Sequence, residues 1–279
     1  YKYTYKKQNW LDCAAAEHTS VRELVGLYDI SSFGKFEMSG IGALSTLQRL
    51  SCANIDVEVG KVVYTQWLND RGGIEADLTI ARLEQDRFWI ITGIGSLNRD
   101  WWRLKHHLEP DVKLTDLTMS YACLALQGPN SRDLLQPMVE SDLTSKAFNF
   151  GTGKFSKLNG KTVWLQRLSY VGELGWEIFI PRESAVHVLK DIQLAGKTFD
   201  LSNVGLHAVN SLRLEKGFRH WGHDIGTEDN LHQAGLSFTA KPDASDFIGR
   251  DAFLRSDNSK KTERRLVQFA LQDPDLFLY

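Results

Sequence analysis

NDRGGIEADLTIARL, residues 69–83, is the stretch whose reading decides the fold. Its first third is a turn signal: Asn69, Asp70 and Arg71 run into adjacent glycines, Gly72 and Gly73, which supply the positive φ angles that tight hairpins require. The rest alternates. Leu78 and Ile80 interleave with Asp77, Thr79 and Ala81, a period of two that predicts a β-strand with Asp77 pointing away from the apolar pair. A carboxylate so placed can meet a ligand, and the same pattern also suits a solvated aspartate on an exposed face.

Outward from this hairpin, residues 61–68 and 87–92 read as strands joined to it by short turns, an antiparallel set that carries Tyr64, Trp67 and Trp89. Residues 33–38, 112–118, 121–127, 162–170 and 176–181 are further strand-like runs, the last two flanking Gly172, Glu173, Leu174 and Gly175. Helical spacing appears in between. Val21, Leu24, Val25 and Tyr28 predict a helix over 17–28 with Gly26 near its stop; Ile41, Leu44, Leu47 and Leu50 predict a second; Leu97, Trp101, Leu104 and Leu108 a third. Residues 131–139, after Gly128, Pro129 and Asn130, and residues 184–194 and 206–215 complete the set, the last ended by Lys216 and Gly217. Strands and helices interleave without regular parallel units, which predicts an α+β fold with mainly antiparallel sheets.

Composition excludes several function classes. Hydrophobic residues make up 42% and charged residues 24%, the balance of an ordinary globular protein. Lys plus Arg number 33 against 35 Asp plus Glu, so no basic excess points to nucleic acid or an anionic membrane surface. No apolar run approaches a membrane span, and YKYTYKKQNW lacks the apolar segment of a signal peptide. Cys13, Cys52 and Cys123 are odd in number and far apart, the pattern of reduced thiols rather than a disulfide framework. Gly40, Gly42 and Ser45 lack the third glycine of a dinucleotide fingerprint, so no nucleotide site is expected there. His220, His223 and His232 have no neighbouring cysteine or shared helix face, and no metal site is expected.

Four stretches in order carry a family resemblance: NDRGGIEADLTIARL, LQGPNSR, RLSYVGELGWEIFIP and GLHAVNSLRLEKGFRHWGHDI. Together they resemble the signatures of the glycine-cleavage aminomethyltransferases (the T-proteins), and more narrowly the folate-binding portion of the sarcosine and dimethylglycine dehydrogenases. The resemblance implies an aminomethyltransferase-like tetrahydrofolate-binding domain over residues 1–255, which includes a ferredoxin-like part, and over residues 256–279 the start of a C-terminal barrel, truncated here. It implies a piece of a longer protein, in agreement with a chain that starts at Tyr1 and ends just after a strand-like run at 266–271. In such relatives an FAD domain of the same polypeptide oxidises an N-methyl amine, and the folate part captures the resulting iminium or formaldehyde unit as 5,10-methylene-tetrahydrofolate. The mitochondrial matrix or a bacterial cytoplasm is the implied compartment.

The family match assigns roles residue by residue. Asp77 matches the catalytic aspartate, suited to accept the proton released when an amine captures an iminium. Glu177 matches the pterin-binding glutamate, since a carboxylate accepts paired N–H donors in parallel. Tyr64 and Trp89 match aromatic walls of the folate site, although buried aromatics also serve as plain core. Glu173, Arg213 and Glu215 read as structural. One departure stands out: Val209 replaces a ligand-binding arginine of the aminomethyltransferases, which favours the dehydrogenase branch. Two alternatives remain: a non-catalytic interaction module like the regulatory subunit of pyruvate dehydrogenase phosphatase, and the aminomethyltransferase itself.

Overall fold

The computed structural model describes residues 2, 4, 7–258 and 264–273. Helix α1, Leu11–Glu23, is followed by strands β1, Gly26–Asp29, and β2, Gly34–Ser39, then helix α2, Ala43–Leu50. Next come β3, Val62–Leu68, β4, Ile74–Glu84, β5, Arg87–Thr92, helix α3, Leu97–His106, and β6, Lys113–Asp116. The remainder is β7, Tyr121–Gln127, α4, Ser131–Leu135, β8, Gly153–Leu158, β9, Lys161–Gln166, β10, Gly175–Pro181, α5, Ala185–Gly196, β11, Ser202–Asn203, α6, Leu206–Glu215, and α7, Arg250–Asn258.

These strands form two sheets. One has the order β3-β4-β5-β2-β6, and every pair in it is antiparallel. Leaving aside the edge strand β3, its order β4-β5-β2-β6 with crossovers through α2 and α3 is the ferredoxin-like arrangement expected above. The other has the order β11-β1-β7-β10-β9-β8, antiparallel except for the short β1–β11 pair.

Period-two alternation gives each sheet an outer and an inner face. On the first, Ala76, Leu78 and Ile80 of β4 turn outward under Leu47, Leu50 and Leu104 of α2 and α3. On the second, Trp176, Ile178 and Ile180 of β10 turn outward under Leu134 and Leu135 of α4 and Val188 and Ile192 of α5. The inner faces meet. Val62, Ala81, Trp89 and Ile91 of the first sheet pack with Tyr28, Cys123, Ala125, Trp164 and Phe179 of the second in one core, closed at the side by Val21 of α1 and Ala208, Val209 and Leu212 of α6. Asp77 shares the parity of Ala81, and Glu177 that of Phe179. Both carboxylates therefore project into the layer between the sheets.

Several expectations need correction. The helix predicted over 17–28 runs from Leu11 to Glu23 instead, and Val25, just before β1, and Tyr28, within it, are core residues. Their apparent helical spacing joins the end of one element to the start of another. Ile41 lies outside α2 and is 83% exposed, since the helix begins only at Ala43. The sequence does not mark β8, because its half-buried Lys154 and exposed Phe155 and Lys157 hide the alternation. Residues 264–273 carry no strand, so the run at 266–271 is irregular; residues 259–263 and 274–279 of the expected barrel segment lie outside the described residues. The three cysteines are free thiols. Among the described residues no helix is long and apolar enough to cross a membrane.

Candidate functional site

Asn69 builds the turn that aims β4. Its side-chain oxygen accepts from the Arg71 amide at 3.0 Å and the Gly73 amide at 2.9 Å. The two glycines play different parts. Gly72 has φ +86°, the left-handed conformation the turn needs, whereas Gly73 is required by space: a Cβ there would lie 2.0 Å from the Thr227 carbonyl oxygen. The strand is then tied to the loop after α6, because Ile74 N donates to Asp229 O at 3.0 Å and Trp221 Nε1 donates to Ile74 O at 2.9 Å.

Three residues further, Asp77 stands directly opposite Gln66 on β3. Gln66 Nε2 donates to Asp77 Oδ1 at 2.7 Å. The Tyr64 hydroxyl also bonds to this carboxylate, and the Arg219 guanidinium lends it positive charge. Burial outweighs these stabilising neighbours and pushes the half-buried Asp77 carboxyl up to about 6. A carboxyl with that value is ionised at neutral pH yet still a usable proton acceptor. Tyr64 is held far above its ordinary value, by burial first and then by the Asp77 charge, so its hydroxyl keeps its proton and donates it.

Besides Gln66, two further residues near Asp77 carry no signal in the sequence. Tyr170 donates to the Arg219 carbonyl at 3.0 Å, and its phenol is pushed to about 12 by burial, with Asp77 and Asp224 adding to the rise and Arg213 opposing it. Arg219 in turn caps the loop, donating to Gly217 O at 2.5 Å and Ala234 O at 2.8 Å. Both lie on loops, so no periodicity marks them. Arg213 holds the same loop from α6: it donates to Phe218 O at 3.1 Å and forms an ion pair with Asp224 while itself 5% exposed.

Glu177 occupies the facing sheet in a register-matched row of Tyr28, Ala125, Glu177 and Gln166 across β1, β7, β10 and β9. Gln166 Nε2 donates to Glu177 Oε2 at 2.6 Å, and burial raises the carboxyl above its ordinary value. Tyr28 and Cys123 are raised as well, by burial first and then by the Glu177 charge. The Tyr28 hydroxyl is buried and has no hydrogen-bond partner among the described residues. Ala125, between Tyr28 and Glu177, is buried in the inter-sheet core.

The other anticipated residues separate into frame and core. Trp89 is 2% exposed, boxed by the rings of Tyr121, Trp164, Phe179 and Phe155, and its Nε1 donates to Glu37 at 3.0 Å. It pairs with Ala81, toward the far end of β4 from Asp77, and so belongs to the inter-sheet core rather than to a wall beside the carboxylate. Glu173 and Glu215 both pair with Arg22 of α1, at 2.9 and 3.0 Å, and are structural. Val209 is buried among Val21, Ala208 and Leu212. The rings of His220 and His223 lie 4.3 Å apart, tilted by 49°, while His232 stacks on Phe253. Among the described residues no group of three or more His, Cys, Asp or Glu could hold a metal ion. A cleft of about 460 Å³ between residues 58–61 and β8, lined by Leu83, Phe155 and Trp164, contains neither carboxylate.

Comparison with known proteins agrees with this architecture. The family model for the GCVT N-terminal domain matches residues 1–244. The chain is 41% identical to a 4-methylaminobutanoate oxidase (formaldehyde-forming) of Paenarthrobacter nicotinovorans, covering 99% of this chain and 34% of that protein. It is 35% identical to the mitochondrial sarcosine dehydrogenase of Homo sapiens, covering 98% and 31% respectively. The chain thus spans about a third of the length of these curated relatives. The crystal structure of the glycine cleavage system aminomethyltransferase T from Bartonella henselae superposes with a TM-score of 0.79 at 27% identity, over 88% of this chain and 66% of that one. With a family model covering most of its length and an aminomethyltransferase fold in its two facing sheets, the chain belongs to the GCVT N-terminal domain family, as an aminomethyltransferase-like domain related to the sarcosine dehydrogenases.

Proposed function

We propose that this chain is the tetrahydrofolate-binding part of an N-methyl amine dehydrogenase, where the one-carbon unit of the oxidised amine is captured as 5,10-methylene-tetrahydrofolate. The observation that carries the reading is the placement of Asp77 and Glu177 on the inner faces of opposed sheets, each held by a glutamine and each raised by burial. A folding scaffold gains nothing from two desolvated carboxylates; a ligand that presents N–H groups and releases a proton does.

The donor set suits a reduced pterin. Glu177 Oε1 accepts no hydrogen bond among the described residues, and the unpartnered Tyr28 hydroxyl lies in the same cross-sheet row. Tetrahydrofolate, when bound, supplies the nucleophilic nitrogens that take up the one-carbon unit. Glu177 would hold the N–H edge of the pterin, and Tyr64 would offer a ring face and keep its hydroxyl on Asp77. Asp77, ionised at neutral pH, would accept the proton and steady the cationic electrophile beforehand. Trp89 would act from behind, as the packed support of the inner face. The amine oxidation itself is assigned to an FAD domain outside these 279 residues, and the compartment to a mitochondrial matrix or bacterial cytoplasm.

Calorimetric titration of the chain with tetrahydrofolate tests the reading. Saturable one-to-one binding that is lost in Glu177→Gln supports it. No binding by the chain, and none by the full-length protein, would favour the interaction-module alternative.

A further inference from the structure

Both carboxylates have the same kind of neighbour, and the reaction outlined above does not use it. Gln66 is fully buried and Gln166 is 1% exposed; each sits directly across the ladder from its carboxylate. A buried amide can turn either end toward a carboxylate. Its N–H end stabilises the charge, whereas its oxygen end opposes it.

In each pair a third group selects the N–H end. The Thr239 hydroxyl donates to Gln66 Oε1 at 2.6 Å, on the side away from Asp77. That hydroxyl has one proton, for which the Leu236 carbonyl at 2.7 Å competes, and the Cys52 thiol, 3.7 Å from Gln66 Oε1, is a second donor to the same oxygen. On the facing sheet Trp164 Nε1 donates to Gln166 Oε1 at 3.2 Å. With its oxygen committed, each glutamine can present only N–H to the carboxylate. The chain Thr239, Gln66, Asp77 thus links the 237–239 turn to the site.

We propose that Gln66, oriented by Thr239, is a positioning residue that fixes the rotamer of Asp77 and favours its charged form, and that Gln166, oriented by Trp164, fixes the rotamer of Glu177. The role in catalysis rests on the folate reading given above; the effect on the carboxyl does not. The other groups facing Asp77 are Tyr64 on β3, Arg219 on the loop after α6 and Tyr170 on the loop before β10, and all remain in the variants below.

The test is the titration of the Asp77 carboxyl, followed by carbon-13 NMR and assigned by its loss in Asp77→Asn. Thr239→Val keeps the shape but removes the closer and stronger of the two donors that orient Gln66, leaving only the weak Cys52 thiol, and Thr239→Ser restores it. Thr239→Val is expected to move the Asp77 midpoint up by about one pH unit, the scale of one hydrogen bond to a charged group, with Thr239→Ser at the parent value. Gln66→Leu is expected to move it at least as far. In the full-length protein, the pH midpoint of methylene-tetrahydrofolate formation moves with it. Thr239→Val titrating like the parent would overturn the inference. Failure of the parent to bind tetrahydrofolate would instead overturn the folate reading and leave the titration result standing.

Discussion

Gln66 and Asp77 are cross-strand partners joined by a 2.7 Å hydrogen bond, and together they occupy the one end of β3 and β4 where the inner face is polar. The arrangement keeps a charge where burial opposes it, so it has a cost that can be measured. With its pKa raised from 3.8 to about 6, Asp77 in the folded state retains a proton that the unfolded chain has already lost between those values. Stability therefore falls as pH rises through that window and stays lower above it. Asp77→Asn removes the penalty. Denaturant unfolding should show the variant more stable than the parent at pH 7.5 by about 2 kcal/mol, with the difference vanishing below about pH 4. An equal change at both pH values would mean that the charge is not what costs stability.

Glu177 is expected to hold ligand rather than to transfer protons. Glu177→Gln turns an acceptor into an amide that places N–H against N–H, so tetrahydrofolate binding should weaken by about 1 to 3 kcal/mol while the fold persists. Titration calorimetry decides this, with circular dichroism as the check on folding. Unchanged affinity would remove Glu177 from the site.

The hairpin that carries Asp77 comes closest to its surroundings at Gly73. Gly73→Ala would press a methyl group against the Thr227 carbonyl, where the separation is 2.0 Å and the opposing atom is backbone. The loop must shift or the turn must open. A loss of about 2 kcal/mol is expected, together with faster amide exchange at Ile74, which donates to Asp229 O. Gly72→Ala should also destabilise, through its positive φ and a 3.2 Å approach of the added methyl to Ala252 Cβ.

How much of this was legible depends on whether local pattern or tertiary contact decides a residue. The period of two in β4 put Asp77 on the face opposite Leu78 and Ile80, and the structure places it there, because a strand with one face against helices must alternate. The antiparallel β3, β4, β5 set was equally plain. In contrast, the spacing of Val21, Leu24, Val25 and Tyr28 looked helical only because α1 ends and β1 begins within one turn. Gln66, Tyr170 and Arg219 carried no signal, since what they do is set by a partner far away in the chain. Trp89 matched a family position, but packing drew it into the aromatic core.

The loop over the site depends on a buried ion pair. Arg213 leaves α6, reaches the Phe218 carbonyl and pairs with Asp224, so the turn containing His220 and Trp221 closes around one guanidinium. Arg213→Met leaves Asp224 without its partner. The expected loss is about 3 kcal/mol, the low end for breaking a buried pair because Asp224 keeps some access to water. Fluorescence should show the loosening of Trp221, whose Nε1 donates to Ile74 O. A variant as stable as the parent would show that the pair is incidental to the loop.

The remaining prediction separates chemistry from binding at Asp77. Asp77→Asn keeps the shape and an oxygen for the Gln66 N–H, but loses the charge that steadies an iminium and the site that accepts its proton. Tetrahydrofolate should still bind, because Glu177 and the facing sheet are untouched. In the full-length protein, amine oxidation should continue while formation of 5,10-methylene-tetrahydrofolate falls by roughly 10² or more, the usual scale for one positioned acid or base. The one-carbon unit would then leave as free formaldehyde. The measurement is the ratio of formaldehyde to methylene-tetrahydrofolate during turnover, in parent and variant, with folate affinity recorded in parallel. A changed ratio at unchanged affinity assigns the chemistry to Asp77. An unchanged ratio would make its carboxylate a desolvated strand residue without a catalytic role, its raised pKa a consequence of burial alone.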